Sequence, residues 1–363
     1  MAGLIRVLVV DDSAFVRKVV TQMLSRSPFI DVVGTARDGG EALEMCARLS
    51  PDVVTLDLVM PGIDGLEFLR QQMAIRPVAV VVCSISHESG AAALEAFELG
   101  AVEFVQKPTA LATDRVYEIT EELVAKVKAA ANAVLAPLAA PAARKTDAPA
   151  VSARDIRVAP AALDVSAVTR GDGRSADIVV IGISTGGPQA LRYVIPRFAA
   201  DFPVPIAVVL HMPVGYTEMY AKRLNELSKL NVVEARDGDV IRPGTMFLAP
   251  AGRHLSFIRN AGDEILVHLD LRPLDTPHRP AVDVMFTSAA EVYGSRVLGV
   301  VMTGMGNDGL AGSAHIKAKG GQILTEAESS CVVYGMPRAV VEACVSDRVA
   351  TLGDMASSIM EMV

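Results

Sequence analysis

The chain has 363 residues, too many for one ordinary domain, and 51% of them are hydrophobic, enough for two cores. Its net charge of −8 disfavours nucleic acid or an anionic membrane surface as the main partner. Four scattered cysteines with no C-x-x-C pair, and no apolar run of membrane-spanning length, predict a soluble cytoplasmic chain without structural zinc or direct membrane insertion.

The first apolar run, Ile5-Arg-Val-Leu-Val-Val10, starts too close to Met1 for a signal peptide and leads straight into Asp11-Asp12-Ser13. A helix-periodic stretch follows at Val16, Val19, Val20, Met23 and Leu24. The pattern then repeats. Val32-Val33 marks a second strand, Ala42-Leu43 a helix, and Val53-Val-Thr-Leu56 a strand ending at Asp57. Further runs end at Ser84 and at Lys107-Pro108. Strands alternating with helices predict a parallel sheet covered on both faces, with ligands at the carboxyl ends of the strands.

Asp11, Asp12, Asp57, Ser84 and Lys107 all fall at those ends. Three converging carboxylates repel one another unless a cation intervenes, and an oxygen-only site with room for water and phosphate suits Mg²⁺. Asp57 is then the acceptor of a phosphoryl group, with Lys107 and Ser84 meeting the phosphoryl oxygens. Any one of these aspartates alone reads equally well as a helix cap. Five such residues in this order do not.

The segments Val9-Val-Asp-Asp-Ser13, Leu56-Asp-Leu-Val-Met-Pro-Gly-Ile-Asp-Gly65 and Val105-Gln-Lys-Pro108 resemble a response-regulator receiver domain. The resemblance implies Mg²⁺ held by Asp11, Asp12, Asp57 and the Val59 carbonyl. It also implies phosphorylation of Asp57 by a partner histidine kinase and an aromatic switch at Phe104. The switch hydroxyl falls at Ser84, with Cys83 or Ser86 as alternatives if the loop differs by a residue. The receiver is expected over residues 1–128. An Ala/Pro-rich tether at 129–175 follows, its prolines forbidding a long helix.

The second domain, expected over 176–363, opens on Asp177-Ile-Val-Val-Ile181, which stops at Gly182-Ile-Ser-Thr-Gly-Gly-Pro188 and continues as a helix. A sharp Gly-flanked serine between strand and helix exposes one hydroxyl and aims helix N–H groups at charge developing beside it. The plainer reading is a βα turn with Ser184 capping the helix. Pro205 to Leu210 forms another strand, ending at His211-Met-Pro213. Val297 to Met302 forms a third, ending at Thr303-Gly-Met-Gly-Asn-Asp-Gly309. The strand-end rule puts Ser184, His211 and Asp308 on one rim.

That set suits a hydrolytic triad with Ser184 as nucleophile, His211 as base then acid, and Asp308 as the orienting carboxylate. Backbone N–H groups near Thr185 and Met305 are the oxyanion-hole candidates. Each member has rivals. His254 and His278 lie in Pro-bracketed loops that could line the same cleft, and Asp283 is a second carboxylate, better read as a helix cap.

The order Ser…His…Asp departs from the Ser…Asp…His of α/β-hydrolases. With Leu210-His-Met-Pro213, His278-Arg-Pro-Ala-Val-Asp283, Thr303 to Gly309 and Cys331-Val-Val-Tyr-Gly-Met-Pro337, the chain resembles the chemotaxis protein-glutamate methylesterases. The fold class this implies is α/β, with two doubly wound parallel-sheet domains: a flavodoxin-like receiver, then a Rossmann-like serine hydrolase. The resemblance further implies hydrolysis of γ-glutamyl methyl esters on methyl-accepting chemoreceptors, deamidation of receptor glutamines, no cofactor for the esterase step, and a receiver that restricts the cleft until phosphorylated. A DNA-binding output domain lacks any helix-turn-helix signal, and a phosphate-cradling loop lacks its lysine.

Overall fold

Apolar runs rich in β-branched residues become the parallel strands, and most in the amino-terminal unit are closed by a polar residue. The structure, a computed structural model, describes residues 3–84, 90–107, 115–133 and 175–363. The amino-terminal unit alternates strictly: β1 (Ile5–Val10), α1 (Ala14–Leu24), β2 (Ile30–Ala36), α2 (Gly39–Leu49), β3 (Val53–Leu56), α3 (Gly65–Ile75), β4 (Ala79–Ser84), α4 (Gly90–Glu98), β5 (Glu103–Gln106) and α5 (Arg115–Ala131). Ser13, Asp38 and Asp64 cap α1, α2 and α3, each side chain accepting an amide three residues on. The sheet is wholly parallel in the order β2-β1-β3-β4-β5.

Strand alternation divides its side chains between two cores. Leu8, Val10, Leu56 and Val82 pack with Phe68 and Phe97 on one face. Val7, Val9, Val81 and Val105 pack with Leu24, Leu123 and Val127 on the other. Helix α5 runs to Ala131, past the expected end of the domain at 128, because Ala129 and Ala130 are buried. Residues 134–174, most of the expected tether, lie outside the described residues, as do Ser86 and Pro108.

The carboxyl-terminal unit contains β6 (Ile178–Ile183), α6 (Gly187–Val194), a 3-10 turn (Ile195–Arg197), β7 (Ile206–Leu210), α7 (Thr217–Leu227), β8 (Asn231–Glu234) and β9 (Thr245–Leu248). Then come β10 (His254–Arg259), β11 (Ile265–Asp270), α8 (Val282–Tyr293), β12 (Val297–Val301), α9 (Leu310–Ala318), β13 (Gln322–Glu326), α10 (Met336–Glu342), β14 (Arg348–Ala350) and α11 (Met355–Met362). Seven parallel strands run in the order β14-β13-β12-β6-β7-β9-β8, and β10 and β11 form a separate antiparallel hairpin. The chain builds outward from β6 toward β8, then returns to lay β12 on the other side of β6. The sheet therefore has its topological switch point at β6, where such sheets open a crevice for ligands.

The two units pack together. Leu94 of α4 joins the core beneath α6 and α7, and Tyr216 joins the receiver-side core. The Phe104 and Tyr216 rings lie 5.0 Å apart across the boundary. Gln189 Nε2 donates to the carbonyls of Phe97 and Ala101, at 2.9 and 3.0 Å. Glu98 pairs with Arg192 and Arg223.

Candidate active site and acidic pocket

Register brings the nucleophile and base candidates together before any side chain is considered. Ile183 of β6 pairs with Leu210 of β7, and the His211 amide donates to the Ile183 carbonyl, so Ser184 and His211 leave adjacent strand ends side by side. On the other flank of β6, the Ser184 amide donates to the Thr303 carbonyl at 3.0 Å. Gly304 passes so close that a Cβ there would stand 2.9 Å from the Ser184 Cβ and 2.4 Å from the Met336 sulfur. Ser184 does not cap α6. Gly186 holds that position, with φ at +78° and no side-chain bond, which removes the plain capping reading.

His211 Nε2 lies 2.9 Å from Asp308 Oδ2. Its other ring nitrogen, Nδ1, is buried and has no hydrogen-bond partner among the described residues. His211 and Ser184 line the same cavity with Thr185, Met212 and, from the receiver, Glu103, Phe104 and Lys126. No hydrogen bond joins the imidazole to the serine here.

Asp308 is held on three sides. Oδ2 also accepts the Val282 amide at 2.8 Å, and Oδ1 accepts the Asp283 amide at 2.9 Å, both from the first turn of α8. Burial pushes its pKa up, but the His211 contact and these two amides outweigh it and hold the carboxyl below its ordinary range.

The expected capping of its own helix by Asp283 does not occur, since Ala281 occupies that position. Its carboxylate instead accepts the amides of Gly309 and Gly312 at the start of α9, at 3.0 and 2.7 Å. The two aspartates thus serve each other's helices. Burial pushes the Asp283 pKa up, against the pull of those amides.

The amides of Thr185 and Met305 enter no backbone hydrogen bond among the described residues. Those of Ser184 and Gly304 are both taken, the second by Val333. Thr303 ties the loops together: its hydroxyl donates to the Thr185 carbonyl at 2.9 Å, and its amide donates to Glu326 Oε2 at 2.9 Å. Glu326 is fully buried, and burial pushes its pKa up despite the Thr303 and Ser330 hydrogen bonds. Sequence reading missed it, because Glu326 ends β13 as one more polar strand terminus.

The rival histidines separate. His254 is 1% exposed. Its Nδ1 accepts the Ala281 amide at 3.2 Å and its Nε2 lies 3.1 Å from the Pro273 carbonyl. It is a loop anchor. The His278 ring stacks on His211, with centroids 4.2 Å apart.

In the receiver, the carboxylate oxygens of Asp11, Asp12 and Asp57 lie within 4.8 Å of one another. Lys107 Nζ stands 2.5 Å from Asp11 and 2.7 Å from Asp57. Burial pushes the Asp57 pKa up even though Lys107 pulls it down. Three clustered carboxylates share one lysine, which leaves the site net negative, and an all-oxygen donor set fits Mg²⁺. Ser84 is buried at the end of β4, its carbonyl accepting the Lys107 amide. Cys83 is part of the opposite core, with Val7 and Val127. Phe104 is buried against Tyr216, and Val59 is exposed beside Asp57.

A Myxococcus xanthus protein named protein-glutamate methylesterase/protein-glutamine glutaminase 5 is 52% identical over 97% of this chain and 96% of its own. The chain belongs to the CheB methylesterase family. The CheB methylesterase family model matches residues 179–359, and that of the response regulator receiver domain matches 7–116. A Symbiobacterium thermophilum protein-glutamate methylesterase/protein-glutamine glutaminase is 46% identical over 99% of this chain and 97% of its own. The crystal structure of the Thermotoga maritima CheB methylesterase catalytic domain is 41% identical, with a TM-score of 0.51, and covers 52% of this chain and all of that one. The α/β class with two parallel sheets accords with this CheB membership.

Proposed function

We propose that this chain hydrolyses γ-glutamyl methyl esters on chemoreceptors, releasing methanol, and deamidates receptor glutamines at the same serine. The reading rests above all on His211, which lines one cavity with Ser184, holds Asp308 through Nε2 and keeps a buried Nδ1 with no partner among the described residues. The depressed Asp308 pKa keeps its carboxylate ionised, and the carboxylate keeps the proton on Nε2, leaving Nδ1 as the acceptor.

Ser184 Oγ attacks the ester carbonyl and its proton passes to Nδ1. The carbonyl oxygen, now negative, is met by the free amides of Thr185 and Met305. Collapse of the tetrahedral centre breaks the C–O bond, and Nδ1 returns the proton to the departing methoxide. Water then repeats the sequence on the acyl-serine, regenerating Ser184 and the glutamate carboxylate. With a glutamine the leaving group is ammonia and the proton path is the same.

Control comes from the receiver. A histidine kinase phosphorylates Asp57, with Lys107 and Ser84 on the phosphoryl oxygens and Phe104 as the switch ring. Asp11, Asp12, Asp57 and the Val59 carbonyl would hold Mg²⁺, which would neutralise charge during phosphoryl transfer. Unphosphorylated, the receiver restricts the esterase cavity, where Thr185 donates to Glu103. We place the enzyme in the cytoplasm. No helix among the described residues is long and apolar enough to cross a membrane.

Methanol release from methylated receptor membranes, with and without a small phosphodonor, tests this reading. Release that rises with the phosphodonor and loses that response in Asp57→Asn supports it. A full response in Asp57→Asn refutes the control, and no release from wild type refutes the activity.

A further inference from the structure

His211 has a single anchor. One hydrogen bond at Nε2 fixes a point on the ring but leaves the ring plane free to turn, and the plane decides where Nδ1 points. We propose that His278 is a positioning residue of the esterase: its ring stacks on His211 and sets the plane that presents Nδ1 to Ser184. This rests on the reading of His211 as the base.

The centroids lie 4.2 Å apart, with 28° between the planes, a stacked aromatic contact. His278 is exposed, and neither of its nitrogens makes a hydrogen bond among the described residues, so none of those residues selects its tautomer or aims it as a base. What His278 contributes is its face.

The loop that carries it is held firmly. Buried His254 accepts the Ala281 amide and contacts the Pro273 carbonyl, clamping both ends of the segment. The Arg279 carbonyl accepts the Gly252 amide at 2.9 Å. His254 and His278, both rivals of His211 by sequence, thus act together: one anchors the loop and the other stacks on His211.

The charge environment suits this role. The ionisable groups facing the stacked pair are Asp308 from the loop before α9, and Lys126, Glu122 and Glu103 from the receiver. Partial desolvation and then the neighbouring His211 hold the His278 pKa below the ordinary imidazole range. A ring held neutral in this way adds no positive charge beside His211 when His211 takes the serine proton.

The test uses the full chain, activated with a small phosphodonor and assayed for methanol release from methylated receptor membranes. His278→Phe keeps a ring and removes both nitrogens, whereas His278→Gln keeps polarity and removes the ring. We expect kcat in His278→Phe within about threefold of wild type and in His278→Gln about tenfold lower, with KM within about twofold in both. The acidic limb of kcat/KM should overlay wild type in His278→Phe. In His278→Gln it should overlay as well, since the Asp308 contact to His211 is untouched and the loss lies in kcat. Wild-type kcat in His278→Gln, or equal loss in both variants, would overturn the inference. His211→Ala run alongside separates the cases, since activity surviving in it removes the triad reading itself.

Discussion

Asp308 spends both oxygens on its neighbours, one shared by His211 and the Val282 amide and the other on the Asp283 amide. An asparagine there places an NH₂ group against at least one donor and favours the wrong imidazole tautomer. Asp308→Asn should therefore lower kcat by roughly two to four orders of magnitude in the methanol assay while leaving the circular dichroism unchanged.

Glu326 has the opposite electrostatics. Its pKa is raised by burial, so its contribution to stability is fully present below the unfolded value and is lost as pH rises through the folded one. Thermal melts across mildly acidic to neutral pH should show part of the wild-type fall in stability missing from Glu326→Gln, which retains an acceptor for the Thr303 amide. Glu326→Ala strands that buried amide and should cost about 1–3 kcal/mol. Identical pH dependence in wild type and Glu326→Gln would contradict this assignment.

Among the elements, the turn after β6 was the most legible part of the chain. An apolar run closed by Gly-Ile-Ser-Thr-Gly-Gly announces strand, turn and helix, because only a tight turn needs that density of glycine. The strand-end positions of Ser184, His211, Asp308, Asp57 and Lys107 followed from the same alternation. What stayed hidden was whatever depends on contacts between distant segments. The exchange of caps between Asp283 and Asp308 crosses two helices, and the stacking of His278 on His211 depends on a loop anchored by His254. Neither leaves a local pattern. Gly304 is a further case, since the chain reads as a glycine-rich loop and only the packing shows why a side chain is excluded. Gly304→Ala should cut methanol release by at least about tenfold, by displacing Ser184 or Met336 from a loop with no spare room.

At the scale of the whole molecule, the two units share buried side chains rather than merely touching. Leu94 and Tyr216 each sit in the core of the other unit, and Glu103 and Lys126 line the esterase cavity. The order of domains was readable from motifs, but this contact was not, because it joins residues some 80 to 120 positions apart across the tether. Removing polar links while leaving the esterase groups in place should loosen the closed arrangement. Glu98→Ala combined with Gln189→Ala is expected to raise unstimulated methanol release about threefold and to leave the phosphodonor-stimulated rate nearly unchanged. An unchanged unstimulated rate would argue that these links carry none of the restraint.

The most direct measurement is covalent trapping with a fluorophosphonate, which reacts only with a serine that a neighbouring base activates. After phosphodonor treatment, mass spectrometry should locate the label on Ser184, and His211→Ala should abolish labelling. A label on another residue, or undiminished labelling of Ser184 without the His211 imidazole, would contradict the account.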